Sequence, residues 1–171
     1  MVRALPDDGQ RHEVVHGELV VTPAPRALHQ LIVSRLGDAL FVACGASSAY
    51  VKFTSPADIS WGSDSLVQPD LFVVPRADAA TLDWTRMRTL VLVAEVLSPA
   101  TARYDREQKR RLYQEQGVPT IWLVNTDRQQ VEVWAPGARY PTIETERIEW
   151  SPGASAEPLV VIALAELFAA L

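Results

Sequence analysis

With 171 residues, 48% of them hydrophobic and 22% charged, the chain has the make-up of an ordinary globular protein, and residues 1–171 read as one domain. One cysteine, Cys44, and three histidines supply neither a disulfide framework nor a structural zinc pattern. A formal net charge of -5 is the wrong sign for bulk attraction to nucleic acid, so any such binding needs a local basic patch.

No apolar run reaches the roughly 18 residues needed to span a bilayer, and the opening MVRALPDDGQRHE lacks the apolar core of a secretory leader. A cytoplasmic location without membrane contact is expected. EVV and ELVVT flank His16-Gly17, which predicts a short β-hairpin ended by Pro23 and Pro25. From Ala27 to Ala43, Leu28, Leu31, Ile32, Leu36, Ala39 and Leu40 recur at the spacing of one helical face, with Gly45 as the expected cap. AYVKFT, a loop around Trp61-Gly62-Ser63 and the strand LFVVP follow, and residues 76–88 read as loop.

LVLVAEVL, residues 90–97, is short and rich in branched residues, as in a strand buried on both faces. A helix from about Thr101 to Gln116, closed by Gly117 and Pro119, leads to a second buried strand, TIWLVN. This β-α-β order predicts two parallel strands with the helix across one face of the sheet. A turn from Asn125 to Gln130 then leads into VEVWA. Beyond it, a strand within residues 143–150 and a closing helix ALAELFAAL complete the reading.

Glu95 is the most informative residue. An ionised carboxylate inside an apolar strand costs several kcal/mol unless it is compensated. Alternation places Glu95 with Val91, Val93 and Leu97, facing either the crossover helix or the opposite layer. Asp70 follows Pro69 at the mouth of LFVV. Two carboxylates at the ends of adjacent strands can share a hard divalent cation such as magnesium, which favours oxygen ligands. In the helix ATARYDREQKRRLYQEQ, Ala102, Asp105, Lys109 and Leu112 or Tyr113 share one stripe, so Lys109 can face inward or pair with Asp105. Arg103, Arg106 and Arg110 form another, read as a solvated face in preference to a phosphate contact.

These residues resemble the Uma-type branch of the PD-(D/E)XK restriction-endonuclease-like superfamily. The resemblance runs through HGELVVTPAPRALHQLIVSRL, VQPDLFVV, LVAEVLSPATARYDREQKRRLYQEQGVPTIWLV and EPLVVIALAELF. It implies an α/β fold, a mixed sheet flanked by helices with an N-terminal β-hairpin and helix. It also implies a magnesium- or manganese-dependent endonuclease acting on DNA. Asp70 and Glu95 match the two acidic positions of the superfamily pattern, while the usual lysine position falls on Leu97; in this branch the lysine is displaced to the helix, here Lys109. The resemblance further implies a metal ligand from the Val96 carbonyl and secondary positions at Glu18, His29, Asp105 and Tyr113. A homodimer is expected, since paired nuclease sites cut two strands and twofold assemblies are common. The alternative is a catalytically silent binding or regulatory module on the same fold.

Overall fold

The computed structural model describes residues 10–153 and 157–170, so most of the opening segment examined for a leader lies outside them. β1 (Arg11–Val15) and β2 (Glu18–Thr22) form the expected hairpin. His16 and Gly17 both have positive φ, 49° and 82°, as a two-residue type I′ turn demands. Helix α1 (Ala27–Ser47) starts where the prolines allow and runs further than expected. Gly45 lies inside it, and Ser48 takes the left-handed conformation at its end. By length and composition α1 could cross a membrane, which corrects the reading of its apolar run. In this fold Ile32, Val33, Leu36, Leu40, Ala43 and Cys44 on one of its faces are core residues.

The central sheet has six strands in the order β10-β9-β8-β7-β6-β3. They are β3 (Tyr50–Thr54), β6 (Leu71–Pro75), β7 (Leu92–Leu97), β8 (Ile121–Asn125), β9 (Gln130–Trp134) and β10 (Thr142–Glu144). β7 and β8 are the parallel pair anticipated from the β-α-β order, and the other neighbours are antiparallel. All six residues of β7 are buried. A second sheet, β2-β1-β5-β4, adds β4 (Ile59–Trp61) and β5 (Ser65–Val67), which pair across the segment expected to be only a loop. Residues 76–88 likewise hold a short helix, α2 (Arg76–Ala79), and a 3-10 turn at Trp84–Arg86.

The crossover helix, α3, begins at Ala102–Tyr104, passes through a π-helical turn at Asp105–Lys109 and continues as Arg110–Glu115. The one strand expected within 143–150 is instead the end of β10 and a separate strand β11 (Arg147–Trp150), which pairs with β12 (Val160–Ala163). The closing helix shrinks to α4 (Leu164–Leu167), because its first predicted residue, Ala163, belongs to β12.

Side-chain alternation in the central sheet separates two apolar layers. Leu71, Val73, Leu92, Ala94 and Val96 pack with α1 and the β11-β12 ribbon. Phe72, Val74, Val93 and Leu97 pack with Leu112 and Tyr113 of α3 and with Ile59, Trp61 and Val67 of the smaller sheet. Because α1 contributes only one face, truncation should matter on that face alone. Leu36→Ala, at a residue with no exposure, should cost about 2–5 kcal/mol in urea unfolding. Phe41→Ala, at a residue 68% exposed, should change stability by less than about 0.5 kcal/mol.

Candidate functional site

The site lies where the hairpin, α1, the central sheet and α3 converge. Glu95 shares the α3 side of β7 with Val93 and Leu97, which resolves the two orientations left open by alternation. Leu71 pairs with Ala94, so Asp70, one step before the strand, arrives beside Glu95. Its backbone N–H approaches Glu95 Oε2 at 3.4 Å, and the Val96 N–H donates to Asp70 Oδ2 at 2.9 Å. Asp70, Glu95 and Val96 line one cavity of about 270 Å³, together with Arg11, Glu13, His29, Asp105 and Lys109.

Lys109 is 1% exposed. Its ammonium lies 2.6 Å from Glu95 Oε1 and 2.9 Å from Glu13 Oε1, with Asp105 farther away at 3.9 Å. The intrahelical pair is therefore the weakest of its three contacts. Tyr113 donates its hydroxyl to Glu95 Oε1 at 2.5 Å. Four residues of the predicted stripe, Asp105, Lys109, Leu112 and Tyr113, are buried as the helical spacing required. The π turn containing Asp105 and Lys109 is invisible in the sequence, and such turns recur at functional sites.

Asp70 Oδ1 accepts from Arg11 at 2.8 Å, and Asp70 Oδ2 lies 3.0 Å from His29 Nε2. Glu18 stands exposed at the start of β2 and does not border the cavity. The acidic side chain that the hairpin contributes is Glu13, which also accepts from the Gln68 N–H at 2.7 Å. Sequence reasoning missed it, although alternation along β1 places Arg11, Glu13 and apolar Val15 on one face.

The arginine stripe of α3 is a fastening more than a solvated face. Arg106 pairs with buried Glu132 at 2.7 Å, and the Arg110 guanidinium lies 4.2 Å from the Trp134 ring centre. Only Arg103 remains at the surface, 88% exposed and paired with Glu107.

Burial and charge oppose each other throughout this cluster. Burial works to raise the Asp70 carboxyl, but the His29 hydrogen bond and the Arg11, His29 and Lys109 charges hold it well below the usual range. Burial pushes Glu95 up to about 8 against the pull of Lys109, with Asp70 and Asp105 adding to the rise. Burial also raises Asp105 to about 6. Lys109 is raised despite its burial, because Glu13 and Glu95 face it. With their charges fully developed, the four carboxylates Glu13, Asp70, Glu95 and Asp105 outnumber the three permanent cations that line the same cavity, Arg11, Lys109 and the exposed Arg26.

Among the described residues no group of three or more His, Cys, Asp and Glu side chains is arranged to hold a metal ion. Magnesium does not require one: it commonly takes one or two carboxylates and keeps several waters. Two adjacent carboxylates, the neighbouring backbone of Val96 and a lining in which carboxylates outnumber cations fit such an ion.

The mixed sheet flanked by helices, with its N-terminal hairpin and helix, is of the restriction-endonuclease-like α/β class. A family profile described as "Putative restriction endonuclease", Uma2, matches residues 2–165, and the chain belongs to the Uma2 family. Among solved structures of the same fold is the protein described as "a putative nuclease belonging to DUF820 from Anabaena variabilis ATCC 29413". It is 19% identical, with a TM-score of 0.76 over 98% of this chain and 94% of that one. No curated protein matches the chain.

Two outcomes follow from the cluster. Lys109→Met leaves Glu13 and Glu95 without their shared cation and should cost about 3–5 kcal/mol in urea unfolding, whereas Arg103→Met should leave stability unchanged. The second concerns pH. Glu95 and Asp105 hold protons more tightly folded than unfolded, so they add stability below their ordinary range and lose it as pH rises through the folded values. In metal-free buffer the melting temperature should therefore fall between about pH 5 and about pH 8, and Glu95→Gln should flatten the upper part of that decline.

Proposed function

We propose that this protein is a divalent-metal-dependent nuclease that hydrolyses DNA phosphodiester bonds. The observation that carries the reading is the pair of adjacent buried carboxyl groups, Asp70 and Glu95, that line one cavity with Val96, in a chain of a family described as "Putative restriction endonuclease". Asp70, Glu95 and the Val96 carbonyl would hold magnesium or manganese. When bound, such an ion supplies positive charge to the scissile phosphate and makes water more acidic.

The side chains divide the remaining work. Lys109 stays charged against Glu13 and Glu95 and can donate a hydrogen bond that orients the attacking water. Tyr113 and Lys109 together fix the Glu95 carboxylate from the α3 side. Arg11 and His29 set the orientation of Asp70 from the hairpin and α1. Carboxylates held by such partners are positioned before substrate arrives, so little reorganisation is needed at reaction.

One observation favours the second reading, a catalytically silent binding module: both oxygens of Asp70 already have partners within the chain. Manganese calorimetry and single-turnover cleavage of labelled DNA separate the two. The nuclease reading expects manganese binding and magnesium-dependent cleavage. It also expects Glu95→Gln, which imitates the protonated carboxyl and should fold, to reduce the cleavage rate by roughly a hundredfold or more. DNA binding without cleavage by the wild-type protein would establish the silent module instead.

A further inference from the structure

The cavity at Asp70 and Glu95 does not end at Arg11. Arg11, Pro25, His29 and Asp70 border both that space and a second cavity of about 640 Å³, which opens between α1, β3 and the bend at Ser55-Pro56. The two form one groove with the Arg11-Asp70-His29 contacts as a shared wall. Gln30 and Ser34 of α1, Thr54 of β3 and Gln68 line the far part with neutral polar side chains, and two charged residues join them, Lys52 and Asp38.

Lys52 is half-buried on β3, and its ammonium lies over Gly37 in the middle of α1. A Cβ at position 37 would stand only 3.2 Å from Lys52 Nζ, so the glycine leaves the space this ammonium uses. Among the described residues Lys52 forms no ion pair. A partly desolvated cation without a fixed counter-charge is ready for an anion, and a lysine ammonium is a compact point charge that serves phosphate well. Arg11 is less available for that role, because its guanidinium is engaged by Asp70 and Glu13.

We propose that Lys52 binds the backbone phosphate of a nucleotide flanking the scissile one, so that the DNA strand runs from the Asp70-Glu95 cavity past Arg11 and His29 to β3. This rests on the nuclease reading and adds the direction of the substrate. It also supplies the local cation that an acidic chain needs to hold a polyanion. Asp38 on the same wall limits the pull to short range, which favours a single phosphate contact over diffuse attraction.

The test is fluorescence anisotropy of a labelled DNA duplex against salt concentration, in magnesium buffer, with single-turnover cleavage measured over a range of protein concentrations. Lys52→Ala and Lys52→Gln should both weaken binding, by roughly tenfold at physiological salt, and make the log-log salt slope shallower by about one. Half-maximal cleavage should need a correspondingly higher protein concentration in both variants, and Lys52→Arg should restore affinity. Gly37→Ala, which keeps the charge but displaces the ammonium, should weaken binding by a smaller factor. If both neutral variants keep the wild-type affinity and slope while the wild-type protein binds and cuts DNA, the Lys52 assignment is overturned and the nuclease reading stands. A wild-type protein that neither binds nor cuts DNA overturns both.

Discussion

The buried ammonium of Lys109 is the interaction on which this architecture depends. It stays charged because Glu13 and Glu95 lie within 2.9 Å and 2.6 Å, and each of those carboxylates tolerates burial partly because Lys109 faces it. Three elements distant in sequence are thereby locked together: the hairpin through Glu13, the central sheet through Glu95, and the crossover helix that carries the lysine. An apolar triple of similar volume could pack here at comparable or better stability. The charged arrangement is better understood as a geometric constraint, since it permits one register of hairpin, strand and helix.

Asp70 extends the same logic to α1. Its carboxylate faces Arg11 on the hairpin, His29 in the first turns of α1 and the backbone N–H of Val96. The two acidic side chains therefore differ in character although they are neighbours. Asp70 is surrounded by donors and holds its charge firmly, whereas Glu95 sits deeper and is pushed toward its protonated form. Such separation of two carboxyl groups by environment is a recurrent property of sites that bind and transform charged substrates.

The outer parts of the fold keep this centre in place. Arg106 and Arg110 tie α3 to β9 through Glu132 and Trp134, so a second stripe of the helix is anchored as well. Arg35 of α1 donates to the carbonyls of Leu167 and Ala169, joining the first long helix to the C-terminal segment. The N-terminal half of α1 is consequently held at two points, by His29 near the site and by Arg35 against the C-terminal segment.

Local pattern carried most of the secondary structure. His16-Gly17 specified the hairpin because both positions need positive φ, and the run LVLVAEVL specified a buried strand because no polar face interrupts it. Glu95 announced itself through that same run, and the spacing of Asp105, Lys109 and Tyr113 determined a common helical face. Other features had no local signature. Glu13 shares its face of β1 with apolar Val15, but only the packing of α3 against that face shows it to be buried, and Glu18 resembled a site residue until β2 proved to turn it outward. The arginines of α3 read as a solvated stripe because Glu132 and Trp134 lie more than twenty residues away in the chain. The π turn and the room that Gly37 leaves for Lys52 depend on how helices seat against strands. Periodicity reports which face of an element is apolar; only packing determines which distant charges meet there and which remain open to a partner.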